Sequence, residues 1–164
     1  MATSPATADR ARALGLPIED FERLDRLDIA IDGADQVGGT GWLVKGGGGA
    51  HTREKIVATA AERFVVIVDH TKLVEKLAGP VPLELLAFGL PATLRAVAPT
   101  QLRDIAHSPD GGLIADYQGE VDDPEALAHH FEIVPGVVDH GLFPPRLTSD
   151  VLIARGDEVE HRRV

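Results

Sequence analysis

The chain has 164 residues, of which 44% are hydrophobic, and it carries a formal net charge of −10 and no cysteine. This length allows one domain, or one domain with a small appendage, and the absence of cysteine excludes disulfides, thiolate nucleophiles and cysteine metal sites. The negative charge argues against nucleic acid as a partner. The first residues lack the apolar segment of a secretion signal, and no apolar run is long enough for a membrane span, so we expect a cytoplasmic protein.

The N-terminal segment predicts a loop followed by a short helix. Ser4 is a candidate N-cap, because the proline that follows it suits the first helical position. Helix-like sequence covers Ala6–Leu14 and stops at Gly15. Beyond it, Leu16–Ile18 is a candidate short strand, and the charged segment Glu19–Arg26 predicts a turn or a short helix.

The next segment predicts a β-α-β unit. Leu27–Ile31 is apolar at four of five positions and Phe64–Val68 is a second apolar run, as expected for buried parallel strands. Between them, Thr52–Phe64 has apolar residues at helical spacing. We expect a right-handed crossover and a ligand site beyond the carboxyl ends of the strands. Three carboxylates lie at such ends: Asp32, Asp35 and Asp69.

A glycine-rich loop leads into the predicted helix. Lys45 is followed by four glycines and Ala50, and residues without Cβ let backbone N–H groups approach a ligand closely. The N-terminus of the helix adds a positive partial charge, so this corner favours anions. The pattern is neither a Walker loop nor the usual dinucleotide-binding motif. For the glycines alone, a flexible turn is an equally good interpretation.

The second half of the chain changes from alternating strands and helices to strands, one helix and strands. This order predicts a small α+β lid on an α/β domain, with a boundary near Ala87–Leu90. The turns at Asp110–Gly112 and Gly156–Asp157 are hairpin signals. The predicted elements are helices at His70–Leu77, Pro91–Val97 and Pro124–Phe131 and strands at Leu83–Phe88, Leu102–Ala106, Leu113–Tyr117, Gly136–Phe143, Val151–Ala154 and Glu158–His161.

Four motifs follow one another in the chain: DGAD, KGGGGA, REKI and VDxxK. Their order and spacing resemble those of the A-type ribose-5-phosphate isomerases of the pentose phosphate pathway. The resemblance implies that Asp32 and Asp35 are the aspartate pair of that family. It implies likewise that Lys45 is the lysine before the glycines and that Glu54 is the catalytic base. A substrate-binding role is implied for Lys72 and for the glycines of the loop, Gly46, Gly47 and Gly48.

The resemblance also implies a fold. We expect a truncated Rossmann-like parallel sheet with helices over residues 1–88 and a small α+β (ferredoxin-like) lid over residues 89–164, with the end of the chain able to return to the first domain. Full-length family members begin with a further strand and a phosphate-binding loop, and the resemblance starts only after these parts. Leu27–Ile31 would then be an open sheet edge, which predicts a homo-oligomer or pairing with another chain.

The serine- and threonine-containing segment at the N-terminus aligns with a loop that borders the phosphate site of the family. The resemblance therefore implies three further candidate ligands for a substrate phosphate. A plain helix cap is an equally good interpretation of Ser4. The three candidates are Thr3, Ser4 and Thr7.

An aldose and a ketose interconvert through an enediolate when a proton moves between adjacent carbons. This needs a carboxylate base, a cation near the developing oxyanion and an acid–base pair that opens the sugar ring. Glu54 is suited to be the base and Lys45 the cation, while Asp32 and Asp35 are suited to ring opening and hydroxyl binding. Neither a redox cofactor nor a metal ion is required. An anionic phosphosugar needs local cations, for which the candidates are Lys45, Arg53 and Lys72.

Each of these residues also has a simpler interpretation. Glu54 is a common type of first-turn helix residue, and the sequence leaves open whether burial or nearby positive charge controls its pKa. His51 is a candidate ligand contact, whereas Trp42 is expected to pack against the lid or a partner chain. Two other functions stay open: an isomerase acting on a different sugar in a specialised pathway, and a non-catalytic relative that binds a sugar or a protein.

Overall fold

The computed structural model describes residues 1–164. Its helices are α1 (Pro5–Ala13), α2 (His51–Ala60), α3 (Leu90–Ala96) and α4 (Pro124–Ile133). Its strands are β1 (Ala30–Asp32), β2 (Gln36–Gly38), β3 (Leu43–Val44), β4 (Phe64–Asp69), β5 (Leu73–Val74), β6 (Val81–Leu85), β7 (Thr100–Leu102), β8 (Leu113–Tyr117), β9 (Val137–His140), β10 (Leu142–Phe143), β11 (Asp150–Arg155) and β12 (Glu158–Arg163). None of the helices combines the length and apolar character needed to cross a membrane.

The first sheet contains the predicted β-α-β unit. Its strands run in the order β1-β4-β11-β12, with β1, β4 and β11 parallel and β12 antiparallel at one edge. Ala30 of β1 pairs with Phe64 of β4, and both side chains are buried in one apolar cluster with Val57 of α2. The prediction of an α/β domain is confirmed, because the apolar runs form the parallel strands and the helix covers them.

The sequence patterns do not predict the second sheet, in which the strands run β10-β3-β2-β5. Each of these strands has two or three residues, which is too short for a periodicity to show. The prediction of a helix at His70–Leu77 is wrong. A 3-10 turn covers only its first three residues, and the chain then enters β5, where Leu73 pairs with Val37 of β2. The Asp69 carboxylate caps this turn by accepting a backbone N–H at 2.8 Å.

The third sheet forms the lid. Its strands are antiparallel in the order β7-β8-β6-β9, and α3 and α4 follow β6 and β8 in the β-α-β-β-α-β order of a ferredoxin-like unit. Its apolar core includes Leu83, Leu85 and Phe131, and Trp42 packs against this core. The prediction of a ferredoxin-like lid is confirmed, and so is the packing of Trp42 against it.

The predicted boundary after residue 88 differs from the sheet topology at the start of the lid. Strand β6, which the prediction assigns to the first domain, is a central lid strand that pairs with β8 and with β9. All five of its residues are buried, and such a run predicts a central strand without telling which sheet it joins. At the other end of the lid, where the prediction left a return to the first domain open, strands β11 and β12 join the first sheet. The lid therefore extends from Val81 to His140.

Gly141 joins the lid to the first domain. The single strand predicted at Gly136–Phe143 is two strands, β9 in the lid and β10 in the small sheet, which separate at this glycine. The Gly141 carbonyl accepts the Lys45 N–H at 2.9 Å, and the Gly141 N–H donates to the Pro82 carbonyl at 2.7 Å. A Cβ here would lie 2.2 Å from the Lys45 carbonyl oxygen, so the approach requires glycine. The lid thereby holds the backbone at the start of the glycine loop.

Candidate active site

The predicted charged residues converge on one cavity at the carboxyl end of β1. The cavity has a volume of ≈ 230 Å³ and is bounded by four segments: the turn after β1, the loop after β3, the first turn of α2 and the turn after β4. Open α/β sheets bind ligands in this position. The lining residues are Asp32, Gly33, Ala34, Asp35, Lys45, Gly46, Gly47, Gly48, Glu54 and Lys72.

Lys45 is the central cation of this cavity, and its side chain is only 3% exposed. Its Nζ lies 3.0 Å from Asp32 Oδ2 and 3.0 Å from Glu54 Oε2, and it donates a hydrogen bond to the Gly33 carbonyl. The buried ammonium is therefore surrounded by two carboxylates and a carbonyl, which offset the cost of removing it from water. Because it also borders the cavity, it can stabilise a negative oxygen of a ligand.

Glu54 lies in the first turn of α2 with its side chain 15% exposed. Burial raises the pKa of Glu54, the ammonium of Lys45 opposes this, and the nearby carboxylates of Asp32 and Asp35 add to the rise. The net direction is upward, so desolvation outweighs the adjacent ammonium. A carboxylate with a raised pKa is a better proton acceptor near neutral pH than an ordinary one. The geometry can therefore support proton abstraction beside a cation.

Asp35 holds one side of the glycine loop. The Gly47 N–H donates to Asp35 Oδ2 at 2.8 Å, and a Cβ on Gly47 would lie 2.8 Å from Asp35 Oδ1. Gly46 has a φ of 102°, which residues with side chains rarely adopt. The loop thus needs glycine at position 46 for its conformation and at position 47 for the close approach of the carboxylate.

Lys72 brings a second lysine to the cavity from the turn after β4. It also lines a more open neighbouring cavity of ≈ 440 Å³, together with Ile67, Val68 and Asp69. The acidic protein therefore has a local pair of cations, one buried among carboxylates and one at the open side. The ammonium of Lys45 is paired with Asp32 and Glu54, so Lys72 is the less neutralised of the two lysines.

The structure does not bring the three N-terminal hydroxyl residues to this cavity. Ser4 caps α1 by accepting the Thr7 N–H at 3.2 Å, in agreement with its interpretation as a helix cap. Ser4 lines a separate and larger cavity of ≈ 910 Å³ next to α1 and α2, while Thr3 and Thr7 line neither cavity. A phosphate-binding role for Thr3, Ser4 and Thr7 stays a prediction.

Two further candidates point away from the cavity. Arg53 donates two hydrogen bonds of 2.7 Å to the Asp110 carboxylate, so it connects α2 to the lid. His51 is fully buried, and burial, with a smaller effect of the charge of Lys55, lowers its pKa to about 4. A Cβ on Gly46 would lie 2.7 Å from His51 Nδ1. His51 therefore supports the loop from behind as a neutral side chain and does not line the cavity.

Sequence reasoning misses two ion pairs that support the site from the lid. Lys55 Nζ lies 2.5 Å from Asp139 Oδ1. The Arg103 guanidinium donates two hydrogen bonds to Asp116 and two more to carbonyls of the glycine loop. Lys55 and Asp139 are 84 residues apart in the chain, and neither helical nor strand periodicity links positions at such a separation. Only the folded chain brings these groups together.

The sequence of the chain is similar to sequences of known isomerases. The family model for ribose 5-phosphate isomerase A (phosphoriboisomerase A) matches residues 1–158. The chain is 44% identical over 173 residues to ribose-5-phosphate isomerase A of Gluconobacter oxydans (strain 621H), with 97% of this chain and 74% of that protein covered. It is 46% identical over 153 residues to the protein of the same name from Roseiflexus sp. (strain RS-1), with 86% of this chain and 66% of that protein covered.

Comparison of the fold with solved structures finds the same family. The solved structure of ribose 5-phosphate isomerase A from Methanocaldococcus jannaschii is similar with a TM-score of 0.91 at 32% sequence identity, and the similarity covers 99% of this chain and 76% of that one. This chain thus spans between about two thirds and three quarters of the length of these proteins. Because the family model includes the whole cavity and nearly all of the chain, the chain belongs to the ribose 5-phosphate isomerase A family.

Proposed function

We propose that the chain interconverts ribose 5-phosphate and ribulose 5-phosphate through an enediolate. One observation carries the proposal: the partly buried Glu54, whose pKa is raised, lies 3.0 Å from the Lys45 ammonium at the edge of a cavity. This places a proton acceptor beside a cation that can stabilise an oxyanion. Membership of the isomerase family supports the assignment of substrate and reaction.

In the proposed reaction, Glu54 removes the proton from C2 of the open-chain aldose and returns it to C1. The hydroxyl proton moves from O2 to O1, so the ketose forms with no gain or loss of electrons. Lys45 stabilises the negative oxygen of the enediolate. Asp32 and Asp35 exchange protons with the sugar hydroxyls during ring opening, and Lys72 attracts the phosphate group.

The first test is the formation of ribulose 5-phosphate from ribose 5-phosphate by the wild type, Glu54→Gln and a matched control, with EDTA present. Glu62→Gln is the control, because Glu62 is an exposed glutamate beyond the end of α2 whose ion pair with Arg26 contributes little. We expect wild type and control to turn over alike, and Glu54→Gln to lose roughly 100- to 10,000-fold in kcat. Equal rates for Glu54→Gln and wild type would refute the role of Glu54.

A panel of other aldoses and ketoses, with and without phosphate, tests the choice of substrate. We expect ribose 5-phosphate to have the highest kcat/KM, because Lys72 gives the open side of the cavity a positive charge. A neutral sugar that reacts faster would show that the same residues serve a different substrate. No turnover of any sugar, with intact folding, would support a non-catalytic relative.

We also propose that the chain forms a homo-oligomer or pairs with another chain through β1. The outer edge of β1 has no neighbouring strand, and Ile29, Ile31 and Ile67 are exposed on one face of this part of the sheet. Open apolar edges recruit partners. Light scattering should give more than one chain per particle, and Ile31→Lys should weaken association, whereas Ile133→Lys on α4 should not. A monodisperse wild-type monomer contradicts the proposal.

A cytoplasmic location is part of the same proposal. A phosphorylated pentose carries charge at neutral pH, and charged groups partition poorly into a membrane. An enzyme that uses this substrate is therefore expected in the compartment where the substrate is made. Activity in the soluble fraction of gently lysed cells, and none in the medium or the membrane fraction, is the expected result.

A further inference from the structure

Arg103 follows β7 in the lid and is fixed by a carboxylate of the neighbouring strand. Its Nε and Nη2 donate to the two oxygens of Asp116 on β8 at 2.7 and 2.6 Å. Both side chains are mostly buried. Two parallel hydrogen bonds to one carboxylate hold the planar guanidinium in a single orientation. The remaining nitrogen, Nη1, therefore has a defined direction.

That direction is toward the glycine loop of the first domain. Arg103 Nη1 donates to the Gly46 carbonyl at 3.2 Å and to the Gly47 carbonyl at 3.0 Å. The same Gly46 carbonyl belongs to the peptide group whose N–H, on Gly47, donates to Asp35. One peptide group is thus held at both ends, by a lid guanidinium at its oxygen and by a site carboxylate at its nitrogen.

The orientation of this peptide matters for an anionic ligand. Gly46 and Gly47 line the cavity, whereas Arg103 does not, so the two carbonyl oxygens are turned toward a group outside the cavity. A carbonyl oxygen facing inward would repel the negative oxygens of a phosphosugar or an enediolate. Glycines turn easily between backbone conformations, so the loop itself does not prevent such a rotation.

We propose that Arg103, oriented by Asp116, is a positioning residue that fixes the Gly46–Gly47 peptide group and thereby couples the lid to the glycine loop. This inference rests on the proposed isomerase function for its kinetic consequences. Arg103 contacts the loop and does not line the cavity, so it acts through the backbone that also carries Lys45. The lid thereby helps to set the backbone conformation of the glycine loop, which lines the cavity.

Arg53 provides a matched control. Like Arg103, it is an arginine that donates two hydrogen bonds to one lid carboxylate, in its case that of Asp110. It makes no hydrogen bond to the glycine loop. Arg103→Ala and Arg53→Ala therefore each remove one arginine–carboxylate pair and one contact between the two domains, and only the first releases the loop peptide.

We expect Arg103→Ala to lower kcat by roughly 10- to 100-fold, as small displacements of positioned groups do, and millimolar guanidinium to restore part of the loss. Arg53→Ala should keep its kcat and gain nothing from guanidinium. Asp116→Asn, which keeps the arginine but loosens it, should give a smaller loss than Arg103→Ala. An unchanged kcat for Arg103→Ala, or equal losses for the two arginine variants, would overturn the inference.

Backbone amide exchange supplies a readout that does not depend on turnover. In the ligand-free protein, the Gly47 amide should exchange faster in Arg103→Ala than in wild type or Arg53→Ala, because its peptide group is freed at the oxygen. Unchanged exchange in Arg103→Ala would also overturn the inference. If the wild type turned over no pentose phosphate, the proposed function would fall while this exchange test would still decide the role of Arg103.

Discussion

The ion pair between Lys55 of α2 and Asp139 of the lid strand β9 allows a quantitative prediction. Lys55 Nζ lies 2.5 Å from Asp139 Oδ1 and donates to the His140 carbonyl at 2.6 Å. The two side chains are 17% and 18% exposed. Burial lowers the pKa of Lys55 and raises that of Asp139, and in each case the partner's charge opposes the shift. The ionised form of each group is therefore stabilised by the opposite charge of the other.

Asp139→Asn removes one charge and leaves the Lys55 ammonium buried beside a neutral amide. Breaking a buried pair in this way costs about 3–5 kcal/mol in the free energy of unfolding. We expect the lower end of that range, since Lys55 can lose its proton once its pKa falls further. For a chain of this length, a loss of about 3 kcal/mol corresponds to a decrease in Tm of roughly 6–12 °C.

The assay is urea denaturation at pH 7 of the wild type, Asp139→Asn and the matched control Asp122→Asn. Asp122 pairs with Lys76, and their side chains are 65% and 64% exposed, so its replacement should change the stability very little, because water screens the pair. The double variant Lys55→Met/Asp139→Leu removes both charges and should be more stable than Asp139→Asn. The reasoning fails if Asp139→Asn and Asp122→Asn are equally stable, or if the double variant is the least stable.

Two further predictions concern pH. Lys45→Gln removes the positive charge that opposes the rise in the Glu54 pKa. The acid limb of the pH profile of kcat/KM should therefore move to higher pH in this variant, while the rate falls. A limb that stays in place or moves to lower pH contradicts this. Burial lowers the pKa of His51 from its ordinary value of 6.5 to about 4 in the folded chain. Between these two pH values the unfolded chain therefore binds more protons than the folded chain, and stability should fall as the pH falls through this range. Denaturation midpoints at pH 7 and pH 5 should therefore differ less in His51→Leu than in wild type, and an equal difference would argue against His51 as a cause.

Local sequence patterns are sufficient to predict the central β-α-β unit of the fold. The apolar runs of β1 and β4 and the helical spacing of α2 are local patterns, and burial of an apolar face is enough to select them. Asp32 and Asp35 follow the end of β1, so their position agrees with the general location of ligand sites in parallel sheets. The family resemblance, carried by the order and spacing of four short motifs, predicts a common site for the complete set. The residues of this set, all of which line the cavity, are Asp32, Asp35, Lys45, Glu54 and Lys72.

The pKa values of the site residues and the contacts that support them depend on packing between distant parts of the chain. The direction of the Glu54 pKa depends on how deeply the carboxyl group is buried, which is set by chain segments distant in sequence. The membership of β6 in the lid sheet depends on pairing with β8 and β9, and its apolar run is compatible with either domain. The link from Arg103 to Gly46 spans 57 residues. Contacts at such separations arise from packing, which leaves no periodic signal in the sequence.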